Sequence, residues 1–139
     1  IAVCAAAVSD YRPKNKSKTK LKKNEGKLDL IKFEKNPDIL DFLAKNNSAR
    51  PKIVVGFSAE TKNIISNALK KIENKYCDLI IANDVSKKDT GFNVDYNAVS
   101  IIDKNGIIKN LPKNKKSFIA QKIAKRIVNE FLIDDKNIN

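Results

Sequence analysis

The sequence predicts an α/β domain of Rossmann-like type, a mostly parallel sheet followed by a C-terminal antiparallel hairpin. Three observations predict it. The short, continuously apolar runs Ile53–Phe57 and Cys77–Ala82 have the length and composition of strands covered on both faces. Other segments carry apolar residues at helical spacing: Ile64, Ile65, Ala68, Leu69 and Ile72, then Ile119, Ile123, Ile127 and Phe131. Strand-like and helix-like segments alternate, as they must when crossover helices join parallel strands. At 139 residues the chain has the size of one domain, 1–139.

The elements follow in order. Ile1 to Val8 is small or β-branched and reads as a strand covered on both faces. Ser9 to Lys27 has no apolar period and carries Lys14, Lys16, Lys18, Lys20, Lys22, Lys23 and Lys27, so it reads as a long basic loop. Leu28–Phe33 is a second short strand. In Asn36-Pro37-Asp38, Asn36 is expected to cap a helix through about Lys45, with Pro37 at its first position. After the Ile53–Phe57 strand, Thr61 is expected to cap the next helix. Val99–Ile102 and Ile107–Leu111 flank Asp103-Lys104-Asn105-Gly106, whose Asn-Gly is a strong hairpin signal. A last helix runs from about Lys116 to Leu132, and 133–139 is expected to be a disordered tail.

Composition removes whole classes of chemistry. There is no histidine, so no imidazole base or ligand comes from these residues. Cys4 and Cys77 are too few for a zinc cage and too distant for a CxxC pair, which favours a reducing, cytoplasmic setting. No apolar run approaches the roughly 18 residues of a membrane span. The net charge of +12 invites a nucleic-acid reading. However, 25 of the 28 basic residues are Lys and only Arg12, Arg50 and Arg126 are Arg, the better bidentate reader of bases and phosphates. Lys, Ile and Asn all abound, which points to a compositional bias and a solvated basic surface rather than a dedicated nucleic-acid partner.

In open α/β sheets, ligands sit at the carboxyl ends of the strands. Those ends carry Ser9-Asp10-Tyr11, Ser58-Ala59-Glu60-Thr61 and Asn83-Asp84. Each taken alone is an ordinary loop start or helix cap. Together with the basic loop and the helix start at Asn36-Pro37-Asp38, they fit a polyphosphate ligand. The four glycines, Gly26, Gly56, Gly91 and Gly106, are scattered, so neither a Walker loop nor a dinucleotide GxGxxG is present.

Several motifs occur together, in order and in register. They are Ala6-Ala7-Val8-Ser9-Asp10-Tyr11-Arg12-Pro13, Lys20-Leu21-Lys22-Lys23, Lys35-Asn36-Pro37-Asp38-Ile39-Leu40, Val55-Gly56-Phe57-Ser58-Ala59-Glu60-Thr61 and Asp78-Leu79-Ile80-Ile81-Ala82-Asn83-Asp84-Val85. Gly91-Phe92, Asp95 and Asn97 continue the pattern. In these the chain resembles the phosphopantothenate–cysteine ligase (phosphopantothenoylcysteine synthetase) family, from its start to the last helix.

The resemblance implies a dimeric, CTP- and Mg²⁺-dependent ligase of coenzyme A biosynthesis. Such an enzyme converts 4′-phosphopantothenate to an acyl-cytidylate and then joins it to cysteine. FMN would belong only to a decarboxylase fused upstream. It further implies that Ala5, Ala6 and Asp10 line the nucleotide site and that Pro37, Asp38, Ile39 and Leu40 meet the nucleotide, with Phe57 beside them. Lys71 and Lys75 would reach its phosphates. Lys20 would be the catalytic lysine of a mobile flap spanning 9–27. Leu21 stands where the family usually has Ile, and Ser58 where it has Ala. The family's N-terminal glycine-rich segment is not in these residues, and the opening at Ile1 within an apolar run suggests a C-terminal piece of the ligase domain. Two other classes compete. A basic nucleic-acid-binding module would bind arbitrary oligonucleotides with steep salt dependence. A flavin or NAD oxidoreductase fragment would carry bound FMN.

Overall fold

The structure, a computed structural model, describes residues 1–6, 8–20, 31–45, 48–86, 89–90, 94–106 and 108–131. A five-stranded sheet is built from β1 (Ala2–Cys4), β4 (Val54–Glu60), β5 (Leu79–Asp84), β6 (Tyr96–Asp103) and β7 (Ile108–Lys115), in that spatial order. β1, β4 and β5 run parallel, and β6 and β7 add the antiparallel hairpin. A separate ribbon pairs β2 (Tyr11–Pro13) with β3 (Phe33–Lys35). Helices α1 (Ile39–Lys45) and α2 (Ile64–Lys75) cover one face, and α3 (Lys116–Phe131) covers the other.

The alternation of side chains along each strand divides the core in two. Val55, Leu79, Ile81, Val99, Ile101 and Leu111 pack with Ile119, Ile123 and Ile127 of α3. Val54, Ile80, Ala82 and Ile102 pack with Ala44 of α1 and with Ala68 and Ile72 of α2. Ile64, Ile65 and Leu69 complete the expected α2 stripe as half-buried neighbours. Gly56 faces α1. A Cβ there would lie 2.8 Å from both Leu40 Cδ2 and Ile80 Cδ1, so the bare backbone lets α1 sit close on β4. At the hairpin, Gly106 takes φ 79° and its N–H donates to the Asp103 carbonyl at 3.0 Å, as the Asn-Gly signal requires. At the amino edge, buried Asp78 accepts hydrogen bonds from Val54 N–H and Arg50 Nη2, both at 2.8 Å, and ties β4 to β5.

Four expectations are corrected. β1 is three residues long and lies at the sheet edge, with Val3 50% exposed rather than covered, because no described helix packs over its outer face. Within the expected basic loop, Tyr11–Pro13 forms a strand, and its partner is Phe33–Lys35, later than the expected second strand. Asp38, not Asn36, caps α1. Its Oδ1 accepts the Asp41 N–H at 2.9 Å and its carbonyl accepts that of Phe42 at 3.0 Å. Asn63, not Thr61, precedes α2, in a left-handed conformation that Asn tolerates. Residues 21–32 of the expected flap and second strand fall mostly outside the described residues. The Phe131 side chain and the 133–139 tail lie outside them too.

Candidate functional site

β1 stops at Cys4, which is paired with Gly56, while β4 runs on to Glu60. This step in the sheet edge opens a cavity of about 520 Å³ at the carboxyl end of β1. The chain leaving β1, the β2–β3 ribbon, the start of α1 and the α2 lysines enclose it. Among the expected site residues, Ala6, Asp10, Pro37, Asp38, Ile39, Leu40, Phe57, Lys71 and Lys75 all line this one cavity. Ala5 and Lys20 do not line it. Lys20 is exposed and stands at the end of the described part of the basic segment.

Each wall has a local cause. α2 runs back along the sheet, and Lys71 and Lys75, one turn apart, emerge from the same helix face. Lys71 Nζ donates to the Phe57 carbonyl at 3.0 Å, at the first residue of β4 beyond its pairing with β1. Lys75 Nζ lies 2.8 Å from Asp38 Oδ2 and 3.6 Å from Asp41 Oδ1. Lys75 stands in the last turn of α2, where a cation complements the helix carboxyl end, and both lysines also reach other elements. The hydrogen bond from Lys75 holds the Asp38 carboxyl below its ordinary range, aided by the Asp41 N–H. The same bond raises the Lys75 ammonium, against a smaller opposing effect of burial. Asp41 is lowered mainly by its hydrogen bond with Lys45.

The ribbon wall is held by Asn36. Its N–H donates to the Asp10 carbonyl at 2.8 Å and its Nδ2 to the Ser9 carbonyl at 2.6 Å. Asp10 itself is among the residues that line the cavity.

Cys4, Val8 and Lys35 also line the cavity and were not expected there. Lys35 could have been suspected as the cation directly before Asn36-Pro37. The placement of Cys4 depends on where β1 ends, which the apolar run does not disclose. The other strand-end groups do not join this cavity. Glu60 accepts from Asn67 Nδ2 at 2.9 Å and from the Ser58 hydroxyl, bracing β4 against α2. Asp84 Oδ1 accepts the Ser86 N–H and hydroxyl at 3.0 and 2.6 Å. Asn83 has a buried Oδ1 without a hydrogen-bond partner among the described residues.

Fold and cavity define a Rossmann-like α/β domain with a cavity lined by lysines and other residues at its carboxyl edge. Among known proteins, the family model of the DNA/pantothenate metabolism flavoprotein C-terminal domain matches residues 1–131, and the chain belongs to that family. It is 41% identical over 139 residues to the coenzyme A biosynthesis bifunctional protein CoaBC of Escherichia coli (strain K12), covering 99% of this chain and 33% of the relative. It is 40% identical over 128 residues to the CoaBC protein of Vibrio vulnificus (strain CMCP6), covering 91% of this chain and 31% of the relative. The chain thus spans about a third of the length of these relatives. A crystal structure of the C-terminal domain of a CoaBC protein superposes with a TM-score of 0.69 at 31% identity, covering 96% of this chain and 54% of that one. No described helix is long and apolar enough to cross a membrane.

Proposed function

We propose that this chain is the ligase part of a coenzyme A biosynthesis enzyme. It would join 4′-phosphopantothenate to cysteine through an acyl-cytidylate, with CTP as the activating nucleotide. The observation that carries this reading is the convergence of Ala6, Asp10, Pro37–Leu40, Phe57, Lys71 and Lys75 on one cavity. These residues come from four separate stretches of the sequence, and the ligase resemblance assigns all of them to the nucleotide.

In the reaction, a carboxylate oxygen of 4′-phosphopantothenate attacks the α-phosphorus of CTP, and the bond to pyrophosphate breaks. The cysteine amine then attacks the acyl carbonyl, loses a proton, and CMP departs. Neither step demands an imidazole, which suits a chain without histidine. What nucleotidyl transfer requires is positive charge arranged around phosphates. In this reading Lys71 and Lys75 would supply it, and Pro37–Leu40 with Phe57 would form the wall for the nucleoside. Lys20 would close over the reacting phosphate and exclude water from the hydrolysable intermediate.

The donor set suits a hard cation that arrives with the triphosphate. Mg²⁺ prefers one or two carboxylates plus phosphate oxygens and water, and Asp10 would be the carboxylate that helps to hold it. The ion would offset phosphate charge. A homodimer is part of the same reading.

The test is equilibrium binding of CTP with Mg²⁺ to this chain, with an arbitrary oligonucleotide as competitor at low and moderate salt. CTP should bind and the oligonucleotide should not displace it. Displacement by oligonucleotide, with steep salt dependence, would establish the nucleic-acid module instead.

A further inference from the structure

Asn36 does not cap α1, and its side chain is committed elsewhere. Nδ2 donates to the Ser9 carbonyl at 2.6 Å, and Oδ1 accepts from Arg12 Nη1 at 3.3 Å. Arg12 is itself held by Glu34, Nε to Oε1 at 2.7 Å. This arrangement permits only one orientation of the amide, because the flipped form would set NH₂ against a guanidinium and oxygen against a carbonyl. The Asn36 N–H adds a third tie, to the Asp10 carbonyl at 2.8 Å. Asn36 is therefore fastened to Ser9, Asp10 and Arg12, a segment in which Asp10 lines the cavity. Asn36 and its chain neighbours, Lys35 and Pro37, line the same cavity.

We propose that Asn36 is a positioning residue: its side chain fixes the Ser9–Arg12 segment so that the Asp10 carboxylate is held toward the nucleotide. The role of Asp10 rests on the function proposed above. The clamp itself rests only on the three hydrogen bonds. It also sets the base of the β2–β3 ribbon, whose ladder continues through the bond from Lys14 N–H to the Lys32 carbonyl at 2.8 Å. The basic segment bearing Lys20 therefore departs from a fixed frame.

Asn36→Ala keeps the backbone tie to Asp10 and removes both side-chain ties. A partial loosening follows, and CTP affinity should fall on the order of tenfold, equivalent to about 1.4 kcal/mol. Asn36→Asp is nearly isosteric but sets a carboxylate against the Ser9 carbonyl, so it should weaken CTP binding as well while keeping the Arg12 contact. A purely structural residue would add its cost to any other substitution. A positioning residue for Asp10 would not.

The experiment is a double-mutant cycle of Asn36→Ala with Asp10→Asn, read as CTP affinity, alongside amide hydrogen exchange of the nucleotide-free chain. Asn36→Ala should lower affinity in the Asp10 background and change it less than about twofold in the Asp10→Asn background. Exchange should quicken in residues 9–12 and stay unchanged in α2 and β5. Equal losses in both backgrounds, or unaltered exchange in 9–12, would overturn the proposal. The exchange arm needs no nucleotide, so a wild-type chain that ignores CTP would sink the nucleotide reading while the clamp is still judged.

Discussion

The two oxygens of Asp38 have separate tasks, and substitution can remove them one at a time. Oδ1 caps α1 through the Asp41 N–H at 2.9 Å, and Oδ2 pairs with Lys75 at 2.8 Å. Asp38→Asn keeps a capping oxygen and loses the ion pair. Asp38→Ala loses both. Capping is worth about 1 kcal/mol. The pair is solvent-accessible, with the Asp38 side chain 50% exposed and that of Lys75 30%, so it contributes roughly 0.2–1 kcal/mol. The low end is expected, because Asp41 already lies 3.6 Å from Lys75 and takes over part of the attraction. Asp38→Asn should therefore cost about 0.3 kcal/mol and Asp38→Ala about 1.3 kcal/mol at neutral pH. Urea denaturation measures the difference. High salt should erase most of the Asn deficit but leave the capping part of the Ala deficit.

The pH dependence follows from the two shifts. Asp38 is lowered in the fold, so its share is present above its unfolded value near ~3.9 and is lost as pH falls through the folded value. Lys75 is raised, so its share is present below ~10.4 and is lost as pH rises through its folded value. An Asn variant as unstable as the Ala variant, or one whose deficit persists unchanged in high salt, would refute this division of labour.

Three further outcomes are expected. Cys77 is buried, with burial pushing its thiol up to about 11, whereas Cys4 is half-buried and lines the cavity; iodoacetamide at pH 8 should label Cys4 far faster. CTP should slow that labelling, and peptide mass spectrometry that finds no protection would remove the nucleotide from this cavity. Gly56→Ala drives a methyl against Leu40 and Ile80, so denaturation should show a loss of about 1–3 kcal/mol, with weaker CTP binding as Leu40 shifts on the cavity wall. Lys20 is exposed, so Lys20→Ala should leave the melting temperature unchanged, yet slow acyl-cytidylate formation by roughly a hundredfold in the whole ligase; near-normal turnover would free Lys20 of any catalytic role.

The parts of the fold legible in the sequence are those whose signal is long and local. β4 and β5 show as unbroken apolar runs, and α2 and α3 as stripes whose buried members are Ala68, Ile72, Ile119, Ile123 and Ile127. Tyr11–Pro13 could not be seen, because three residues are too few for alternation and only the cross-chain register with Phe33–Lys35 makes them a strand. The caps were misplaced by two residues each, since Asn36 and Thr61 are good capping types and tertiary contacts choose between neighbouring candidates. Asn36 in particular is drawn off by Ser9 and Arg12. The cavity wall was legible where motifs carried it, at Asp10, Pro37–Leu40, Phe57, Lys71 and Lys75. Cys4 was not, because its exposure to the cavity depends on the residue at which β1 ends, and Lys35 reaches the cavity through the ribbon pairing with Tyr11.

The two α2 lysines should contribute unequally to phosphate binding, although they share a helix face. Lys75 is held by a carboxylate, and a phosphate that recruits it must either leave Asp38 without its partner or share the ammonium with it. Lys71 is held by a neutral carbonyl, a weaker acceptor that a phosphate oxygen outcompetes. A charge-assisted hydrogen bond is worth about 1.5–3 kcal/mol, so Lys71→Ala should weaken CTP binding by roughly ten- to a hundredfold. Lys75→Ala should cost less than that, because the gain at phosphate is offset by the pair already in place. Removing Asp38 as well should change the order: in an Asp38→Asn background the Lys75→Ala penalty should grow toward that of Lys71→Ala. Titration of the single and double variants with CTP and Mg²⁺ measures this directly. Equal penalties in the wild-type background, or a Lys75 penalty that does not grow when Asp38 is neutralised, would show that the resting partners of these lysines do not govern how they meet the nucleotide.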